Sequence, residues 1–136
     1  MQQKITRIGV YGVVRDGPNM LVVIQAKGPY TGCFDLPGGG IEFGETIEHA
    51  LHREFLEEIG MDFASMKWMM NLTSVVEMPT YIFHQIGMIY SVAGLTAKSN
   101  NGGELTHTWV DIRTLSQKTV SPFLWTVHCD GFIVPQ

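Results

Sequence analysis

Cysteine is scarce in this chain. Only Cys33 and Cys129 occur among 136 residues, far apart and with no C-x-x-C pairing, which sets aside a disulfide framework or a cysteine zinc site and leaves structural thiols. Basic residues are also few: 9 Lys and Arg against 13 Asp and Glu give a formal charge of −4. With no basic cluster and no RNA-binding signature, a nucleic-acid polymer is not an expected partner. No apolar run reaches the length of a membrane span, and no charged start, apolar stretch and cleavage site opens the chain. Membrane contact is therefore not expected, and the cytoplasm is the expected location. The histidines, His49, His52, His84, His107 and His128, lack metal-site spacing, and His49 and His52 are expected as surface residues. Repeats and low-complexity tracts are missing as well. What remains is 45% hydrophobic, enough to fill one core, so residues 1–136 are expected to form a single domain.

Against this background residues 39–61, GGIEFGETIEHALHREFLEEIGM, are dense with information. Gly39 is followed after five residues by Glu45, then after seven more by Arg53-Glu54, apolar Phe55, Glu57-Glu58, Gly60 and apolar Met61. At average residue usage such a pattern arises by chance less than about once in a million chains of this length. From residue 46 to 59 there is no proline or glycine, and Ile47, Leu51, Phe55 and Ile59 recur every fourth position, the stripe of a helix packed on a core. Thr46 suits the N-cap and Gly60 the C′ position. On that helix Glu54, Glu57 and Glu58 stand at i, i+3 and i+4 and crowd one face. Three such charges repel, and folding does not require them together. A hard divalent cation with oxygen ligands offsets the repulsion, whereas a solvated acidic face with one helix salt bridge is the plainer alternative for an isolated E-x-x-E-E.

Ahead of the helix, Phe34-Asp35-Leu36-Pro37-Gly38-Gly39-Gly40 brings an apolar run to a proline and three glycines, the composition of a turn that lets backbone approach a ligand. No Gly-Lys-Ser/Thr ends it, so it is not a Walker A loop. Together the two segments resemble the Nudix box and the aromatic-x-L-P-G-G segment before it, with every specified position filled. The resemblance implies the Nudix fold, an α/β/α sandwich with a mixed β-sheet between helices. It implies that the carbonyl of Gly38 and the carboxylates of Glu57 and Glu58 hold Mg²⁺, or Mn²⁺ in its place. Glu54 is a further ligand or the base that activates water, and both roles stand open. Arg53 and Glu45 are expected as supports, since an arginine fork can hold a carboxylate through two hydrogen bonds. Glu104, five residues before Trp109, matches a loop glutamate that completes the metal sphere in several small members. A ligand or base role and a solvated loop position fit it equally.

The chemistry implied is hydrolysis of a phosphoanhydride in a nucleoside diphosphate derivative, first a nucleoside triphosphate, oxidised forms included, giving monophosphate and pyrophosphate. The net acidity does not argue against a small nucleotide substrate, because a bound cation inverts the local field. An ADP-ribose or nucleotide-sugar pyrophosphatase is the alternative inside the enzyme class; Pro79 and Tyr81 both fall later than the family's specificity markers. A noncatalytic nucleotide-sensing Nudix domain is the alternative of another class, and a Nudix-fold isomerase would need Cys33 as its nucleophile. A homodimer is a further partner open to the family. Tyr30, Phe34, Phe83, Trp109 and Phe123 are candidates to hold a base, with core packing favoured for Phe83 and Trp109.

Elsewhere residues 4–14 and 20–26 read as strands around a turn at Arg15-Asp16-Gly17-Pro18-Asn19. Residues 68–77 and 81–92 read as two more strands joined at Met78-Pro79-Thr80, residues 99–103 as a loop, and residues 107–110 as a short strand. Helices are expected from Asp111 to about Gln117 and over residues 122–128, with Phe123, Leu124 and Val127 inside. Met61, Met66, Met69, Met70 and Met78 form a cluster suited to gap-filling in a core.

Overall fold

Residues with apolar side chains on both faces of a strand must be covered twice, and the first strands show how this chain does it. A computed structural model describes residues 2–98 and 102–129. Its elements are β1 (Gln3–Val13), β2 (Arg15–Asp16), β3 (Asn19–Ile24), β4 (Phe34–Asp35), β5 (Gly38–Gly40), α1 (Ile47–Ile59), β6 (Met61–Asp62), β7 (Ser65–Glu77), β8 (Tyr81–Ala93), β9 (Thr96–Ala97), β10 (His107–Asp111), a 3₁₀ turn (Ile112–Thr114) and α2 (Pro122–Cys129). One sheet runs β5-β1-β8-β7, with β1 parallel to β8 and the other pairs antiparallel. A second runs β10-β3-β2 with β4 also on β3, and β6 pairs β9.

Alternate residues of β1 and β3 go to different cores. Val10, Leu21 and Val23 pack with Ala50, Leu51, Phe55 and Ile59 of α1. Tyr11, Val13, Met20 and Val22 pack with Phe123, Leu124 and Val127 of α2. The two helices therefore cover opposite sides of mixed sheet structure, the α/β/α arrangement expected. Leu51, Phe55 and Ile59 are essentially fully buried, and each such side chain contributes roughly 1.5–3 kcal/mol. Gly12 makes room for α1, since a β-carbon there would stand 2.7 Å from the Phe55 ring.

Both ends of α1 follow the expectation. Thr46 accepts from the His49 N–H at 3.1 Å, and Gly60 adopts φ 68° with its N–H returned to the last turn. His49 is exposed, but His52 is not free: its ring stacks on Phe63 at 3.9 Å and Nδ1 lies 2.5 Å from Asp62. Met66 and Met61 border one core, Met69 and Met70 the other. Cys33 and Cys129 are free thiols.

Three expectations are corrected. The helix expected to about Gln117 stops at Thr114: Leu115 is extended, and the following backbone pairs with β4, Phe34 N–H donating to Thr119 O and Ser121 N–H to Phe34 O. The glycine-rich turn is in part a strand, with Gly40, Gly39 and Gly38 in register with Gly9, Val10 and Tyr11. The strand expected from residue 68 begins at Ser65, with a register shift between Trp68 and Met70. Of the expected loop 99–103, residues 99–101 lie outside the described residues. Among the described residues no helix is long and apolar enough to cross a membrane.

Candidate active site

The glycine strand and the acidic helix are adjacent because Gly39 leaves its side-chain space to Glu54: a β-carbon at 39 would meet Glu54 Oε2 at 2.6 Å. Gly38 is equally close to β1, where a β-carbon would stand 2.2 Å from Val10 O, and its φ of 143° suits glycine. Its N–H donates to Glu58 Oε1 at 2.8 Å. Loop and helix are thereby fastened at both ends of the carboxylate row.

Arg53 holds the other members. It donates to both oxygens of Glu45, at 2.6 and 2.8 Å, to Glu54 at 2.9 Å, to Glu57 at 3.2 Å and to the Gly40 carbonyl at 2.9 Å. The two bonds to Glu45 form a bidentate clamp. Hydrogen bonding to Arg53 holds the Glu45 carboxyl down to about 2. Burial raises the proton affinity of Glu54, with Arg53 opposing. Glu58 is pushed up to about 9: burial raises it, the Gly38 N–H pulls it partly back, and Glu54, Asp35 and Glu104 add like-charge repulsion. Glu57 is the open member, its side chain 46% exposed.

Glu104 comes to the same place from the other side. Its N–H donates to Glu57 O at 2.8 Å and that of Leu105 to Glu58 O at 2.9 Å, so the segment caps the last turn of α1. Gly103 permits this approach, with a β-carbon at that position only 2.3 Å from Glu58 O. The backbone of Glu104 and Leu105 is thus pinned to the helix.

These groups line one end of a cleft of about 980 Å³ that contains Gly38, Gly39, Gly40, Glu54, Glu57, Glu58 and Glu104. A smaller hollow on the outer side of α1 shares Arg53 and Glu57 but none of the glycine strand. A divalent cation suits the cleft's donor set of carboxylates and backbone carbonyls. The half-buried Glu58, repelled by Glu54, Asp35 and Glu104, is what such a cation would neutralise. Among the described residues no three acidic side chains already converge as a ligand shell: Glu54 and Glu57 turn to Arg53, and Glu58 to Gly38.

The aromatic candidates divide. Tyr30 and Phe83 line the cleft, so Phe83 is not the core residue expected. Trp109 is 42% exposed on β10, neither core nor cleft lining. Phe123 is core, edge-on to Tyr11 at 5.5 Å, and Phe34 packs against the same core. Arg7, Gln25, Lys27 and Gln85, which no motif marked, also stand on the cleft wall, as does Tyr81. The available signal was the alternation Ile5, Arg7, Gly9, Tyr11 in β1, which puts Arg7 on the face of two glycine-strand neighbours. Asp35 is buried beneath the cleft, accepting from Ser121 Oγ at 2.5 Å, the Leu36 N–H at 2.8 Å and Gln25 at 2.9 Å.

The profile of the NUDIX domain matches residues 5–130, and the chain belongs to the Nudix family. The fold is that of a MutT Nudix hydrolase from Burkholderia pseudomallei, with TM-score 0.76 at 19% identity over 91% of this chain and 96% of that one. In sequence it is similar to an ADP-ribose pyrophosphatase of Methanocaldococcus jannaschii, 41% identical over 54 residues, which are 40% of this chain and 32% of the relative. The nucleoside triphosphatase NudI of Escherichia coli is 43% identical over 49 residues, 35% of each chain. The match thus spans about a third of the length of these relatives.

Proposed function

We propose that this chain is a Mg²⁺-dependent pyrophosphohydrolase of nucleoside diphosphate derivatives, acting first on nucleoside triphosphates, oxidised forms included, to give monophosphate and pyrophosphate. The carrying observation is the site's division of labour: Arg53 is committed to Glu45, Glu54, Glu57 and Gly40, while the half-buried Glu58 is bonded to the Gly38 N–H and repelled by Glu54, Asp35 and Glu104. A bound Mg²⁺, or Mn²⁺ in its place, would supply activation of a water and neutralisation of phosphate oxygens. Glu57, Glu58 and the Gly38 carbonyl are the groups that would hold it, joined by Glu104. Either Glu54 or Glu104 takes the proton of the attacking water. Arg53 and Glu45 keep the row aligned, and the apolar packing of α1 fixes its height against β5.

The partial likeness to an ADP-ribose pyrophosphatase keeps that substrate class as the second reading. A sensor domain has no need of a complete acidic row, and the lack of Cys33 among the described cleft residues counts against an isomerase that would use it as nucleophile. Free thiols at Cys33 and Cys129 agree with action in the cytoplasm.

The test is chromatographic product analysis after incubation with Mg²⁺ and nucleoside triphosphates, oxidised nucleotides, ADP-ribose, nucleotide sugars and dinucleoside polyphosphates, with Glu57→Gln as control. Monophosphate and pyrophosphate from a triphosphate support the first reading; AMP released preferentially from ADP-ribose supports the second. Absence of any Glu57-dependent turnover overturns both.

A further inference from the structure

Two arginines flank Gly40, and among the described residues only one of them is occupied. Arg53 donates to the Gly40 carbonyl and to three carboxylates. Arg7 reaches the same glycine from β1, its Nε 3.1 Å from where a β-carbon at 40 would be. Its charge is felt at Glu54, yet among the described residues it makes no side-chain hydrogen bond and no ion pair of contact length. An exposed guanidinium beside an acidic row, left out of that row's hydrogen bonds, is available to an anion that comes from outside.

The strand register says where the rest of such a ligand would lie. In the parallel pair β1 and β8, Gly9 stands beside Gly87, Arg7 beside Gln85, Ile5 beside Phe83 and Gln3 beside Tyr81. These alternate residues share one face. Gly9 is also the partner of Gly40, so the face begins at the glycine strand and leads away from it. At about 3.3 Å per residue, Arg7 lies roughly 7 Å and Ile5 with Phe83 roughly 13 Å along it. Phe83, Tyr81 and, from the facing loop, Tyr30 all line the cleft. A cation near the carboxylates followed one step later by aromatic surface matches the order phosphate, then base, in a nucleotide.

We propose that Arg7 binds the substrate's phosphate and so fixes its direction in the cleft, with phosphates at Gly38–Gly40 and the base on Phe83 and Tyr81. The inference rests on reading the cleft as a nucleotide-hydrolysing site. Arg7 is a binding residue here, and Arg53, spent on its own carboxylates, cannot take its place.

Calorimetric titration with ADP and with inorganic tripolyphosphate, both in Mg²⁺, separates phosphate contact from base contact. Arg7→Gln is expected to weaken both ligands about tenfold to a hundredfold, with an unchanged melting temperature and with partial recovery in Arg7→Lys. Phe83→Ala is expected to weaken ADP about fivefold to a hundredfold through lost stacking, and to leave tripolyphosphate unaffected. In steady state Arg7→Gln raises KM with little change in kcat. Tripolyphosphate binding by Arg7→Gln equal to that of the unaltered protein overturns the proposal, as does failure of the unaltered protein to bind either ligand. If ADP binding depends on Arg7 while nothing in the substrate panel is hydrolysed, the directional binding stands and the hydrolase reading falls. Turnover with an unaltered KM in Arg7→Gln gives the reverse.

Discussion

Glu54 Oε2 occupies the space that a β-carbon on residue 39 would need, 2.6 Å away. That contact is what brings strand β5 and helix α1 close enough to make one site. Gly39→Ala therefore expels the Glu54 carboxylate or separates the two elements. The strain expected is about 1–3 kcal/mol, as for overpacking elsewhere. Turnover should fall far more than the melting temperature; retention of full turnover would show that the contact is dispensable.

Arg53 makes five hydrogen bonds in a fork that an ammonium cannot reproduce. Arg53→Lys is expected to lower Mg²⁺ affinity or activity about 10- to 100-fold, the usual cost of losing a group that orients metal ligands. The Glu45 carboxyl, held down to about 2 by Arg53, should titrate higher in the variant, and side-chain NMR would follow it.

Stability of the metal-free protein should fall as pH rises. Glu58 has a folded pKa of about 9 against an ordinary 4.5. Between those values the folded chain keeps a proton that the unfolded chain has lost, so the unfolded state gains with each step up in pH. A Mg²⁺ ion bound at Glu58 would replace that proton, and its stabilising effect should then grow from pH 5 to pH 9. Glu58→Gln should flatten both trends in thermal melts run with chelator and with Mg²⁺. An unchanged slope in the variant would remove Glu58 as the cause.

Glu104→Gln keeps the two backbone hydrogen bonds to α1, so stability should change by no more than about 0.5 kcal/mol. Activity should drop, and the pH–rate profile separates the roles. Loss of the acidic limb marks Glu104 as the base, whereas an unchanged profile with weaker Mg²⁺ binding marks it as a ligand. Activity and Mg²⁺ affinity both unaltered would return it to the solvated loop residue that the sequence equally allowed.

Ser121→Ala removes one of three donors to the buried Asp35 carboxylate. The cost expected is about 1–3 kcal/mol, seen as a shift in urea midpoint with the slope unchanged.

Local chemistry was legible in the chain. Thr46 and Gly60 bound α1 because a hydroxyl can accept at one end and a residue without a β-carbon can turn left-handed at the other. Runs of Val, Ile and other apolar residues disclosed β1, β3 and β8, and the spacing of Glu54, Glu57 and Glu58 disclosed one charged helix face. The two-residue strands β4, β6 and β9 carry too few residues to show a period. The 3₁₀ turn after Asp111 reads locally as a helix start, and only pairing of the later backbone with Phe34 ends it.

The sequence by itself determined the family, the helix with its caps, and the oxygen-rich chemistry of residues 38–58, because those depend on neighbours within a turn or two. Tertiary structure decided which acids meet the glycine strand, that Glu104 caps α1, and that Arg7 faces the cleft with no side-chain partner among the described residues while Arg53 is consumed. Those relations depend on strand register and on the space left by missing β-carbons at Gly9, Gly38, Gly39 and Gly103. Such close approaches join residues distant along the chain, and no local pattern carries them.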